Sequence, residues 1–270
     1  MRLGIGSYTF TWAVGVPGHT PPRPLSALDL LDRAHQLGVQ IVQFCDNLPL
    51  VLIDARDLDA LEDRARSLQL AIELGTRGLA PQNLRANLRL AVRLGSPFLR
   101  LVLDSHGDEP GAEEAVSRLK PFMPEFADAG VKLALENHDR FPVRTLAWMV
   151  EQLGADQTGI CLDTVNSFGA LEGPEQVINV LGPYVVNVHV KDFTVQRVSH
   201  QMGFTVEGCA AGRGRLDVPW LLERLRTHGR DVNAILELWT PPAASLEATI
   251  ARETAWAEES IAWLRKLIKD

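Results

Sequence analysis

Eight short apolar runs recur along the chain, separated by longer segments of helical periodicity. The runs are LGIGSY (Leu3–Tyr8), VQIVQFC (Val39–Cys45), LAIELG (Leu70–Gly75), FLRLVL (Phe98–Leu103), KLALEN (Lys132–Asn137), GICLD (Gly159–Asp163), VVNVHVK (Val185–Lys191) and AILELW (Ala234–Trp239). Near-continuous apolar runs of this length suit parallel strands covered on both faces. The segments between them read as helices. SALDLLDRAHQLG opens on Ser26 as an N-cap and closes on Gly38, and PQNLRANLRLAVRLG has Pro81 near its start and Gly95 at its end. The others cover Leu58–Ser67, Glu113–Ala129, Val143–Leu153, Pro174–Leu181, Val218–Thr227 and Ala244–Ile268. Strict alternation of this kind predicts an α/β fold, a (β/α)8 TIM barrel, with an open doubly wound sheet as the alternative. The 270 residues match the roughly 250 of one barrel, so a single domain over 1–270 is expected.

Composition removes several function classes. The net charge is −7, and no long run of Lys and Arg suggests a nucleic-acid surface. No stretch approaches the roughly 20 apolar residues of a membrane span, and the N-terminus lacks the apolar core of a signal peptide. Three widely spaced cysteines, Cys45, Cys161 and Cys209, argue against a disulfide framework. A cytoplasmic protein with reduced thiols is expected.

In a barrel of this kind chemistry sits at the C-terminal ends of the strands. The last four runs each carry a metal-ligating residue there: Glu136, Asp163, His189 and Glu237. One buried carboxylate is readily explained by an ion pair. Four such residues at equivalent places on consecutive strands point instead to a shared cation. Three carboxylates and an imidazole form a hard, oxygen-rich set that suits Mn²⁺ first, then Mg²⁺ or Co²⁺, and admits Zn²⁺.

Strand alternation nominates further residues. His138 is expected to point with Glu136, and Lys191 with His189, toward a bound substrate. Lys191 has a competing role as the partner of Asp192 or Glu237. Glu73 and Arg100 are candidates either to touch substrate or to pair with each other. Arg213 or Arg215 of GRGRLD would suit an anionic substrate group, the alternative being a solvated loop in which Asp217 caps the next helix. His106 follows the fourth run and is a further pocket candidate.

The ENH, LDT, HVKD, GRGRLD and LEL motifs together resemble the xylose isomerase-like TIM barrels, which include ketose 3-epimerases, hydroxypyruvate isomerase and inosose dehydratase. The resemblance spans the chain. It implies a small-molecule sugar or sugar-acid substrate and a homo-oligomer as the assembly. It also implies that Glu136 and Glu237 exchange a substrate proton as base and acid beside the cation. Asn166 stands where the epimerases carry a substrate-binding His. Gln43 stands where strand two often ends in Glu, and only Arg197 lies near the place of a further Arg. GSYTFTWAVGVPG and CDNLPL are similar to a subgroup that includes 3-oxo-isoapionate decarboxylases. Two readings follow: a metal-dependent isomerase or epimerase of a small keto sugar, and a lyase on the same platform. A sugar-binding module without catalysis is disfavoured by the acid/base residues. A DNA-repair endonuclease would need further histidine ligands and a basic face.

Overall fold

The computed structural model describes residues 1–269. Its strands are β1 (Leu3–Gly6), β2 (Ile41–Phe44), β3 (Ala71–Arg77), β4 (Phe98–Val102), β5 (Lys132–Glu136), β6 (Thr158–Asp163), β7 (Val185–Val190), β8 (Asp192–Arg197), β9 (Phe204–Cys209) and β10 (Asn233–Leu236). Its helices are α1 (Thr11–Val14), α2 (Ala27–Leu37), α3 (Ala55–Ser67), α4 (Pro81–Leu94), α5 (Ala112–Leu119), α6 (Met123–Ala129), α7 (Val143–Leu153), α8 (Pro174–Leu181), α9 (Val218–Thr227) and α10 (Leu246–Leu264). Eight strands close a barrel in the order β1-β10-β7-β6-β5-β4-β3-β2, every neighbouring pair parallel. The predicted (β/α)8 barrel is therefore the fold, as one domain.

Local chemistry explains the element ends. Ser26 accepts from the Asp29 amide in a capping box, and Gly38 ends α2 in the left-handed region at φ 67°. Pro121 and Pro124 break the single helix expected over Glu113–Ala129 into α5, a 3-10 turn and α6. Beyond the eight expected strands, β8 and β9 form an antiparallel hairpin projecting from the end of β7. Its strands are half exposed and carry Thr, Gln, Arg and Glu among their apolar residues, so they lack the continuous apolar signature of the barrel strands.

The outer faces of the strands pack against the helices through one large apolar core. The barrel interior is different. Gln43, Glu73, Arg100, Asn187 and His189 are all buried. Gly75 makes room for one of them, since a Cβ there would fall 2.9 Å from Arg100 Cδ and 2.8 Å from Cys45 Sγ. A register shift between β6 and β7 brings Asp163 level with His189. Among the described residues, no helix is long and apolar enough to cross a membrane.

Candidate active site

β5, β6 and β7 deliver Glu136, Asp163 and His189 near their C-terminal ends, and Glu237 follows directly on β10. All four are almost fully buried. His189 Nδ1 lies 3.2 Å from Glu237 Oε1, 3.7 Å from Glu136 Oε2 and 3.9 Å from Asp163 Oδ2. Donor atoms of Asp163, His189 and Glu237 all fall within 4.8 Å of one another, and those of Glu136, Cys161 and His189 form a second such group that shares the histidine. Oxygen and nitrogen ligands bound to one ion at about 2.0–2.3 Å stand about 3–4.5 Å apart, so this spacing fits one coordination sphere.

The hydrogen-bond pattern also fits a cation. Asp163 Oδ2, His189 Nδ1 and Glu237 Oε1 are buried and meet no aligned hydrogen-bond partner in the protein; Asp163 Oδ2 is ion-paired with Lys191, and His189 Nδ1 and Glu237 Oε1 face each other at 3.2 Å. The other carboxylate oxygens are occupied. Asp163 Oδ1 accepts from the Val165 and Asn166 amides at 2.8 and 2.9 Å. Glu136 Oε1 accepts from Asn166 Nδ2 at 2.8 Å. The residues present therefore suit a hard divalent ion.

Two buried cations flank the cluster. Lys191 Nζ reaches Asp163 Oδ2 at 2.7 Å and Glu237 Oε2 at 2.9 Å. Burial alone would lower the Lys191 pKa, but Asp163 and Glu237 outweigh it and hold the ammonium charged. Arg100 pairs through Nε with Glu136 and through Nη1 with Asp46 at 2.7 Å. Burial would raise the Glu136 pKa, yet Arg100, then His189 and Lys191, pull it below the usual carboxylate range. Asp46 also holds Arg77 at 2.9 Å and accepts from Tyr8 Oη at 3.0 Å.

Above this floor opens a cavity of about 610 Å³. Its walls include Tyr8 and Trp12 after β1, His138 after β5, Asn166 and Phe168 after β6, Lys191, and Trp239 after β10. Val206, Glu207 and Gly208 of the hairpin complete one side. The hairpin seats closely because residue 208 is glycine, a Cβ there colliding with the Trp239 backbone. The walls are thus aromatic and apolar over a charged floor, which suits a small polyhydroxylated or acidic ligand.

Most residues nominated from the sequence meet here, some in other roles. His138 lines the cavity, but it lies beyond the end of β5, so strand alternation does not place it. Its Nδ1 is 2.6 Å from Asp139 Oδ1, leaving Nε2 for a ligand. Lys191 combines both expected roles, lining the cavity while pairing with Glu237. Asn166 bridges Glu136 and Lys191, at 2.8 and 3.4 Å. Arg100 lies beneath the cavity lining with Glu136, not with Glu73. Glu73 is buried deeper in the barrel, accepting from Asn233, Asn187 and Gln43 at 2.7, 3.1 and 3.2 Å. Arg213 lies on the surface, paired with Glu259 and outside the cavity lining. The reason is local: Asp192 accepts from the amides of Gly212, Gly214 and Leu216 at 2.9–3.0 Å. That carboxylate winds the GRGRL loop around itself, and Asp217 caps α9. His106 sits on an exposed loop, also outside the lining. Asp46, Tyr8 and the hairpin residues were missed. The adjacency of Asp46 to the end of the second run is the signal that pointed to it.

Comparison with known proteins agrees with this architecture. The chain is 34% identical over 264 residues to a protein from Pectobacterium atrosepticum named 3-oxo-isoapionate decarboxylase, covering 98% of this chain and 95% of that one. A crystal structure of D-psicose 3-epimerase in the presence of D-fructose superposes with TM-score 0.74 at 13% identity, covering 100% of both chains. A xylose isomerase-like TIM barrel protein from Mycobacterium smegmatis in complex with magnesium superposes with TM-score 0.70 at 14% identity, covering 97% of both. These two likenesses speak to the fold. The sequence profile described as the xylose isomerase-like TIM barrel matches residues 12–267. The chain belongs to the xylose isomerase-like TIM barrel family.

Proposed function

We propose that this protein is a divalent-metal-dependent lyase that decarboxylates a small 3-oxo sugar acid. The charge balance of the site carries the reading. Glu136, Asp163, Glu237 and Asp46 face Arg100, Lys191 and Arg77. With a divalent ion added, these groups of the cluster sum to about one positive charge, while the carboxylates Asp139 and Glu207 lie on the cavity wall. The surplus is therefore local to the floor, where a substrate carboxylate beside Lys191 would restore neutrality and a neutral ketose would not. The 34% identical relative named as a decarboxylase supports the same class.

Glu136, Asp163, His189 and Glu237 would hold the cation, Mn²⁺ being the first candidate. When bound, it supplies Lewis-acid polarisation of a substrate carbonyl. Lys191 receives the substrate carboxylate at the cavity floor, with Asn166 fixing its ammonium. The bond from that carboxylate carbon to the α-carbon would break with release of CO₂, its electron pair passing to the neighbouring 3-oxo group. The α-carbon must take up one proton. His138, as the imidazolium with Nδ1–H donating to Asp139, would give it from Nε2, and the neutral ring would then regain a proton from solvent. Trp12, Phe168 and Trp239 offer an apolar wall beside the substrate.

A second reading, an isomerase or epimerase of a keto sugar, rests on Glu136 and Glu237 flanking the same centre. Epimerisation asks one of them to abstract a C–H proton. Arg100 stabilises Glu136 as an anion and so weakens it as a base, which favours the lyase. Incubating the Mn²⁺-loaded protein in D₂O with 3-oxo sugar acids and with ketoses separates the two. CO₂ release from an acid is the expected result. Deuterium incorporation with an altered ketose, and no CO₂, would establish the second reading instead.

A further inference from the structure

Below the metal-ligand cluster, the barrel interior contains a hydrogen-bonded chain that runs to Glu73. His189 Nε2 lies 2.7 Å from Gln43 Oε1. Gln43 Nε2 reaches Glu73 Oε2 at 3.2 Å and Asn187 Oδ1 at 3.1 Å. Asn187 and Asn233 bring their own amide nitrogens to Glu73, at 3.1 and 2.7 Å. Gln43, Glu73, Asn187 and His189 are each at most 1% exposed.

We infer that Glu73 and Gln43 are positioning residues that present His189 Nδ1 to the metal. The inference rests on the metal reading above. A primary amide has two unlike ends, and a buried one is oriented by its partners. Carboxylate oxygens accept and do not donate, so Glu73 draws the Gln43 NH₂ group toward itself. The Gln43 carbonyl must then face His189. A carbonyl accepts only, so the proton on that side of the ring resides on Nε2. The Nδ1 lone pair is left facing Glu136, Asp163 and Glu237, where a cation would be held. Metal-bound histidines commonly hand their second ring nitrogen to such an acceptor, and loss of the acceptor typically costs 10–100-fold in metal affinity. Here the acceptor is an amide, and its direction is set one residue further away. Glu73 touches neither the cation ligands' free atoms nor the cavity lining, so it acts through its hydrogen-bond partners, of which Gln43 is the one that contacts His189.

The test uses Glu73→Gln, which keeps the volume but offers an NH₂ group in place of an acceptor oxygen. Gln43 then loses the charged one of the two acceptors that orient its NH₂ group, Asn187 Oδ1 alone remaining. Mn²⁺ affinity, measured by titration with electron paramagnetic resonance of the free ion, is expected to fall 10–100-fold. In the Mg²⁺-saturated protein, the exchange-protected His189 Nε2–H proton resonance is expected to weaken or vanish. The exchange variant Gln43→Glu with Glu73→Gln returns an acceptor to His189 and a donor to its neighbour, so both signals are expected to recover. Should Glu73→Gln fail to fold, Gln43→Met is expected to give the same two losses. Wild-type affinity and a retained proton in a folded Glu73→Gln would overturn the relay alone. So would losses that the exchange variant does not repair, since those mark a packing role. Failure of the wild type to take up either ion would overturn the metal reading and the relay with it.

Discussion

The Lys191 ammonium lies 2.7 Å from Asp163 Oδ2, an oxygen that also stands 3.9 Å from His189 Nδ1. One carboxylate oxygen is thus shared between a lysine that reaches the substrate cavity and the ligand cluster beneath it. On the proposed reading, ion binding and substrate binding would be coupled through that oxygen.

Lys191→Met separates the two. The side chain keeps its length and loses its charge, so a competitor for Asp163 and Glu237 disappears. Mn²⁺ affinity is expected to hold or rise. Decarboxylation is expected to fall by roughly 10–150-fold in kcat/KM, the loss of one charge-assisted hydrogen bond of about 1.5–3 kcal/mol. Titration calorimetry and steady-state kinetics read the two effects independently. Lower Mn²⁺ affinity with unchanged kinetics would contradict the assignment.

Arg100 is the buried counter-charge. Arg100→Met leaves Glu136 and Asp46 facing each other without it. Breaking a buried pair in this way costs about 3–5 kcal/mol. Denaturant unfolding is expected to show that loss in chelated protein and a smaller one in Mn²⁺, since the cation takes over part of the neutralisation.

Much of this was readable beforehand. A strand that ends in Glu, Asp or His after apolar residues is conspicuous, and four in succession pointed to the four side chains that the barrel brings together around His189 Nδ1. The partners were less visible. Arg100 pairs across strands and into the loop after β2, and nothing in FLRLV distinguishes Asp46 from Glu73 as its mate. Gln43 reads only as a departure from a family pattern until His189 is seen beside it. The hairpin β8–β9 escaped because its exposed strands carry little apolar signal. Arg213 misled because the glycines around it serve Asp192 on the neighbouring strand, a contact with no local trace.

Glu253 gives a pH signature from behind the cavity wall, where it holds the Trp12 backbone. Burial pushes its pKa up to about 7 against the pull of the Trp12 and Ala13 amides, which it accepts at 3.0 and 3.1 Å. An unfolded Glu titrates near 4.3. Between those values the folded state keeps a proton that the unfolded state has lost, so stability falls as pH rises through that window. The total is on the order of 3 kcal/mol. Glu253→Gln is expected to flatten this slope in unfolding curves from pH 4.5 to 7.5. An unchanged slope would remove Glu253 as its source.

Glu136→Gln and Glu237→Gln are each expected to lower turnover by several orders of magnitude, through the loss of a charged ligand. The lyase reading adds that His138→Ala slows product protonation while leaving Mn²⁺ binding intact. Trapping the decarboxylated intermediate with an electrophile is expected to become more efficient in that variant.

The central claim is that Glu136, Asp163, His189 and Glu237 share one divalent ion. Anomalous diffraction at the manganese edge from crystals grown with Mn²⁺ tests it directly. The account predicts one strong peak about 2.0–2.3 Å from His189 Nδ1 and from an oxygen of each of the three carboxylates. No peak among those four side chains at full Mn²⁺ saturation, or a peak elsewhere in the barrel, would contradict it.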